Sequence, residues 1–322
     1  MNHSLYPFVF DPIFKDRIWG GQKLKTVFQK NIPNDLTGES WELSAVPGDI
    51  SVVSNGAMIG VSLQQLIEEQ PENLLGTKVH QHFGLQFPLL FKLIDAREDL
   101  SIQVHPNDEL AQKHHQSFGK TEMWYVMQAD PGSRLIVGFK NPSSAQEYKD
   151  HLAQQTLLSI LDEKQVTEGD VFFLDTGTIH AIGAGIMIAE IQQTSDITYR
   201  IYDWDRVDAQ GNSRELHIDL ALEAMNYEVV DAKRPYSKTK DTANKVAHCP
   251  YFATNYLSLE QGCTRTHDGQ SFRVYMGVEG TFSIRYEGQE FAFSAGQTVL
   301  VPACITHFEL LGNGAVLEVF VP

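Results

Sequence analysis

The chain is poor in cysteine and in positive charge, and it has no long apolar run. Each scarcity excludes a class of protein. Three cysteines, Cys249, Cys263 and Cys304, are spread over 322 residues without a CxxC pair. An odd, scattered set is not a disulfide framework, so the three read as reduced thiols. Lys and Arg number 25 against 41 Asp and Glu, a formal net charge of −16. Broad nucleic-acid binding needs clustered cations to displace phosphate counterions, and an anionic membrane surface makes the same demand, so no nucleic acid and no membrane is expected as partner. A small anionic ligand stays open, because a few local cations can hold one. No apolar stretch approaches the roughly 18 residues of a membrane span. The opening segment, Met1 to Phe10, has no charged region leading into an apolar one, so no signal peptide is expected and the location reads as cytoplasmic. The length exceeds one ordinary compact domain, which predicts two cores.

What is present is a succession of short β-rich runs, each closed by a turn signal. Ile50–Ser54 precedes Asn55-Gly56, Trp124–Gln128 precedes Pro131-Gly132, and Val171–Leu174 precedes Thr176-Gly177. Arg273–Val278, Thr281–Tyr286 and Thr298–Val301 continue the series, with Glu279-Gly280 and Glu287-Gly288 placed as hairpin turns. Helices are expected over Ser62–Gln70, with Ser62 as N-cap and Pro71 as stop, and over Asn107–Gln116, Ser143–Leu161 and His217–Met225. The fold class is therefore mainly β with inserted helices. Asp231–Asn244 is polar, locally basic and contains Pro235, which reads as a solvated linker rather than a binding patch. It divides the chain into a larger unit, 1–233, and a smaller β domain, 234–322.

The two units share an echo. Gly169–His180 and Gly296–His307 each run glycine, β-segment, tight turn, histidine. This pattern resembles the second motif of cupins, double-sheet β-barrels related to jelly rolls, so two cupin-like barrels are expected. Upstream, Leu100-Ser101-Ile102-Gln103-Val104-His105 alternates, which sets Gln103 and His105 on one face of a strand. Glu122 opens another strand and His180 closes the cupin-like turn. Gln103, His105, Glu122 and His180 together suit a catalytic Zn²⁺ with positions left for water or substrate, one ion per chain. Taken singly, each is also an ordinary core or surface residue. His114 and His115 read as surface residues on a helix, and His80, His82 and His307 lack the companions of a second metal site.

These residues lie in segments that resemble the type I mannose-6-phosphate isomerases, in their shorter bacterial form. The matching stretches include Pro12–Gly21, Gly38–Ser44, Phe87–Lys92, Leu100–Asp108, Gly119–Tyr125, Gly169–Ala181 and Ile191–Asp203. They run in family order over about two thirds of the chain. The resemblance implies interconversion of mannose 6-phosphate and fructose 6-phosphate through a cis-enediol, with zinc on His105, Glu122 and His180 and no organic cofactor. Gln103 matches a ligand of the longer forms, Arg200 matches the family's active-site arginine, and Lys120 stands beside the metal glutamate. The chain departs from the longer forms in lacking their large helical insertion between Glu122 and His180. Lys92 and Lys120 remain alternatives for phosphate contact or proton handling, and Arg200 has an ion pair with Asp196, Asp203 or Asp205 as its bland reading. Two other functions fit a cupin: an Fe²⁺ oxygenase, which would usually carry H-x-H where this chain has Q-x-H, and a non-catalytic sugar-binding module. Neither composition nor motif sets the oligomeric state.

Overall fold

The computed structural model describes residues 4–207 and 210–322; Met1 to His3, where the segment read for a signal begins, and residues 208 and 209 lie outside the described residues. Three large sheets carry the architecture. A six-stranded sheet runs in the order Val171–Leu174, Glu122–Ala129, Ile186–Gln193, Leu89–Ala96, Thr37–Leu43, Ile13–Asp16. A five-stranded sheet runs Leu161–Gln165, Arg134–Phe139, His180–Ile182, Ile102–Val104, Tyr199–Tyr202. The third has eight strands, and its longest are Arg273–Tyr286 and His307–Phe320, fourteen residues each. The fold is mainly β, as its pattern predicts. The strands form stacked sheets, the double-sheet arrangement expected of cupin-like domains.

The six-stranded sheet is the middle layer. Leu89–Ala96 and Ile186–Gln193 are buried along their whole length, which is why they read as near-continuous apolar runs. Alternation then sorts their side chains. Phe91, Leu93, Ala189 and Ile191 join a core that also holds Val274, Met276, Leu317 and Val319 of the eight-stranded sheet. Their in-between neighbours, Lys92 and Glu190, point to the opposite face. Each large apolar side chain removed from water contributes roughly 1.5–3 kcal/mol, so this face anchors the sheet, while the other carries Lys92 and Glu190 beside a second core with Ile94, Trp124 and Ile188.

Local signals hold where they are strong. The Leu63–Glu69 helix starts at Ser62 with a reciprocal capping box to Gln65, and Pro71 opens the next helix at its first turn. Asn107 caps Asp108–His115, its side chain accepting from the Leu110 amide at 2.9 Å. Two of these local expectations fail. The Ser143–Leu161 helix is cut to Ala145–Ala153 and a 3₁₀ turn, Leu157–Ile160, with Gln155 at φ +57° between them. Glu279-Gly280 is not a hairpin turn: the strand continues through it, with a bulge between Gly277 and Glu279. Gly280 has φ +77° and a backbone neighbour, Asn313 O, only 2.0 Å from where a Cβ would stand. Its glycine serves a close strand approach rather than a reversal. Glu287-Gly288, by contrast, is the two-residue turn expected, both residues at positive φ between paired Tyr286 and Gln289.

The presumed linker is also packed. Phe173 donates its amide to Ala232 O and Arg234 to Val171 O, both at 2.8 Å, so the segment extends the sheet edge. Lys233, Arg234 and Lys238 lie over the rings of Phe172, Phe173 and the Tyr236–Tyr256 pair. Lys233 also pairs with Asp170 at 2.8 Å, so the segment's charge is spent on neighbours that a sequence window cannot reveal.

Candidate active site

The charged face of the six-stranded sheet meets the five-stranded sheet, and the predicted ligands converge there. His180 pairs across strands with Gln103, and Gln103 pairs with Arg200, so the three form one cross-strand row. Ile102 and Val104 turn the other way into an apolar core, as the alternation requires. Glu122 approaches from the opposite sheet. His180 follows Gly177, whose φ of +83° and contact with Ala224 O suit only glycine. The Gly177 amide donates to His105 O at 2.9 Å, which ties the turn to the other histidine.

His105, Glu122 and His180 are buried, with potential ligand atoms all within 4.8 Å of one another. Glu122 Oε2 lies 3.6 Å from His105 Nε2, and its Oε1 lies 3.4 Å from His180 Nε2. Gln103 Nε2 is 3.3 Å from His180 Nε2. Each imidazole uses its Nδ1–H on a carbonyl: His105 on Ile197 O at 2.9 Å, His180 on Thr178 O at 2.8 Å. That fixes the tautomer and leaves both Nε2 lone pairs facing the cluster. Burial, with help from Lys120, holds His105 well below the usual imidazole range, and burial lowers His180 to about 4. The neutral ring is the ligating form. Burial pushes Glu122 up to about 7 against the pull of Lys120, and its Oε1 has no hydrogen-bond partner. Two Nε2 atoms turned into the cluster, a carboxylate with an orphan oxygen and an amide are a donor set that fits a borderline-soft divalent cation.

The cluster already draws positive charge. Lys120 Nζ lies 2.6 Å from Glu122 Oε2 and 2.9 Å from His105 Nε2. Burial opposes its charge, but Glu122 and Glu190 outweigh burial and raise its pKa. Above the cluster opens a cavity of about 480 Å³, lined by five cations, Arg17, Lys92, Lys120, Arg200 and Arg214, and four carboxylates, Asp16, Glu39, Glu190 and Asp196. On a chain at −16, a wall with five cations to four carboxylates is a place that can admit a small anion. A larger groove of about 760 Å³ lies between Lys78–Phe83 and His248–Pro250, but no buried charged side chain lines it.

Comparison with known proteins places this arrangement. Residues 8–130 match the family model "Phosphomannose isomerase type I, catalytic domain", and residues 242–321 match "Mannose-6-phosphate isomerase, cupin domain". The mannose-6-phosphate isomerase ManA of Bacillus subtilis is 36% identical over 95% of this chain and 96% of its own. The mannose-6-phosphate isomerase of Streptococcus mutans is 35% identical over 92% of each. A crystal structure of the mannose 6-phosphate isomerase from Bacillus subtilis superposes with a TM-score of 0.89 at 32% identity, covering 97% of this chain and 99% of that one.

The chain belongs to the type I mannose-6-phosphate isomerase family. It is an enzyme of that family, and the family's fold accounts for both the sheet pair and the domain that follows.

Within this family framework the bland reading of Arg200 fails. Arg200 makes no ion pair with Asp196, Asp203 or Asp205: its Nη1 donates to Glu215 O at 2.9 Å and its buried Nε has no partner. Asp203 is instead taken by Arg206 and Arg214. Sequence reasoning missed three residues here. Glu190 is buried, accepts from Trp124 Nε1 at 2.9 Å and lies 3.4 Å from Lys92 Nζ. Burial would raise its pKa, but Lys120 and Lys92 outweigh it and lower it. Glu39 accepts from Trp41 Nε1 at 2.7 Å and from Arg17 Nε at 2.9 Å. Arg214 lines the mouth. A signal for Glu190 was present, a lone carboxylate inside an apolar strand run. Arg214 had none, because its partner is spatial. His114 and His115 are exposed, as expected, and pair with Glu223 and the Tyr199 hydroxyl.

Proposed function

We propose that the chain is a zinc-dependent aldose–ketose isomerase that interconverts mannose 6-phosphate and fructose 6-phosphate through a cis-enediol. One Zn²⁺ per chain would be held by His105, Glu122 and His180, with Gln103 as a fourth ligand. The observation that carries this reading is the buried cluster itself: two histidines whose Nδ1 atoms are spent, a glutamate with an orphan oxygen, and a cationic cavity above them. The names of the relatives point the same way. The ion would act as a Lewis acid for the oxygens that gain charge as the proton moves between C1 and C2.

The chain's own residues do the rest. Lys120, 2.6 Å from Glu122 Oε2 and lining the cavity, is placed to donate to the substrate oxygen that becomes anionic. Arg200 is permanently cationic and stands one strand from Gln103, so it faces the same developing charge. Lys92, between Glu190 and Trp41, supports the sugar from the opposite wall. We further read the protein as cytoplasmic, as two units at 1–233 and 234–322, and as having no nucleic-acid or membrane partner. No helix among the described residues is long and apolar enough to cross a membrane. The Phe8–Val9 strand crosses the proposed boundary by pairing with Thr298–Val301.

A coupled assay for fructose 6-phosphate, run before and after chelation and after zinc is restored, tests the activity. Turnover that survives full metal removal would overturn the zinc reading. Arg200→Ala should lower kcat by about 10²–10³-fold with bound metal unchanged. Wild-type turnover in that variant would remove Arg200 from the chemistry.

A further inference from the structure

We propose that Arg214, aimed by Asp203, is the anion anchor of the cavity and takes the phosphate dianion of the sugar phosphate. This rests on the function proposed above and deepens it.

The site has a direction. His180, Gln103 and Arg200 occupy successive strands of one row, so Arg200 stands two strand spacings, about 10 Å, from the metal-ligand histidine. Arg214 lines the same cavity and is close enough to Arg200 that its charge helps lower the Arg200 pKa. The site therefore leads from the metal ligands through Arg200, whose long side chain serves the reacting end, to Arg214 beyond it. A hexose 6-phosphate has the same polarity, with its reacting carbons at one end and its charge at the other.

Arg214 is built to present donors rather than to form a surface ion pair. Its Nε donates to Asp203 Oδ2 at 2.7 Å, and its Nη2 donates to Asp203 Oδ1. Asp203 is 5% exposed, and Arg206 Nη2 holds Oδ1 from another side at 2.7 Å. One buried carboxylate thus serves two guanidiniums, and Arg200 lies beside them with an unpartnered Nε. Arg206 also faces Glu98 at 4.0 Å, so Arg200 and Arg214 are the neighbouring like charges that a bound anion would bring together. Of its five N–H groups Arg214 spends one on each Asp203 oxygen, which leaves the Nη1 edge for a ligand. A planar edge of paired donors matches phosphate oxygens. Asp203 touches no ligand in this arrangement and is a positioning residue.

The test uses the zinc-loaded full chain and reads KM, kcat, bound metal and binding of inorganic phosphate by calorimetry. Arg214→Gln should raise KM for mannose 6-phosphate by about 10–100-fold while kcat and metal content hold. It should weaken inorganic phosphate by a similar factor. Asp203→Asn should shift KM in the same direction by less, and Arg214→Lys should recover part of the loss. Arg285→Gln, which removes the same charge at an exposed site paired with Glu309, controls for net charge and should leave KM unchanged. A KM for Arg214→Gln within about twofold of wild type would overturn the inference while leaving the isomerase reading in place. If the wild type shows no isomerase activity, that reading fails, and phosphate binding still decides: weaker binding by Arg214→Gln supports the anchor, and equal binding, or none by the wild type, overturns it. Should Arg214→Gln fail to fold, the same measurements on Arg214→Lys and Asp203→Asn decide.

Discussion

The two histidine turns of this chain end in opposite ways. At the first, His180 is buried and faces Glu122, His105 and Gln103. At the second, His307 is exposed at the start of its strand and meets no such partners. The interior of the C-terminal domain is instead closed by Glu318, 2% exposed, which accepts from Arg265 Nη2 at 2.5 Å, Tyr275 Oη at 2.8 Å and Asn255 Nδ2 at 2.9 Å. Its carboxyl stays low because Arg265, then Asn255, outweigh burial. Glu122 and Glu190 are as deeply buried but each keeps an oxygen without a hydrogen bond, and Arg200 keeps an Nε without one. In the C-terminal domain the unpartnered buried atoms are isolated ones, two threonine hydroxyls and His267 Nε2. The difference teaches how to read buried charge. A satisfied carboxylate holds a fold together; a cluster of half-satisfied groups facing a cavity awaits a ligand.

The largest effects should come from trying to make the two turns equivalent. His105→Ala and His180→Ala should each lose bound zinc, and turnover should fall by about 10³-fold or more, as the loss of several kcal/mol of charge stabilisation demands. His307→Ala should change neither. Metal analysis beside the coupled assay reads both outcomes. Full zinc retention in both site variants, or loss of zinc in His307→Ala, would erase the contrast.

The readable part of this contrast was local. Ser62, Asn107 and Gly177 announce a cap, a cap and a left-handed turn within a few residues, and each folds as its own chemistry dictates. The candidate metal donors were legible for the same reason: Q-x-H alternation and a glycine turn are short-range signals. Pairings between distant segments were not. Asp203 with Arg214, Lys92 with Glu190 and Arg265 with Glu318 join residues that no local period links. The Glu279-Gly280 misreading has the same root. A glycine needed for close strand contact looks, in one dimension, like a glycine needed for a turn.

A middle-sized effect should fall on stability alone. Arg265→Ala leaves Glu318 buried without its cation, which should cost about 3–5 kcal/mol in denaturant unfolding, while kcat and zinc content per folded molecule hold. The paired change Arg265→Met with Glu318→Leu should restore most of that stability, because apolar groups of similar volume need no partner. If instead Arg265→Ala abolished zinc binding, the C-terminal network would be part of the site and the contrast would lose its meaning.

The smallest effect probes the seam between the regions. Tyr251, from the C-terminal domain, donates its hydroxyl to Asp108 Oδ2 at 2.7 Å. The other oxygen of Asp108 accepts from the Gly119 amide at 2.8 Å and from Gln193 Nε2 at 3.0 Å, next to Lys120 in the chain. One carboxylate thus ties the second domain to the segment that carries the proposed proton donor. Tyr251→Phe removes that single bond and keeps the ring, so it should cost about 1 kcal/mol. The change in kcat should stay within about threefold, since Gly119 and Gln193 still hold Asp108 in place. A much larger fall in kcat at unchanged stability would mean that the C-terminal domain sets the geometry of Lys120, and the division into a structural half and a chemical half would give way to one machine.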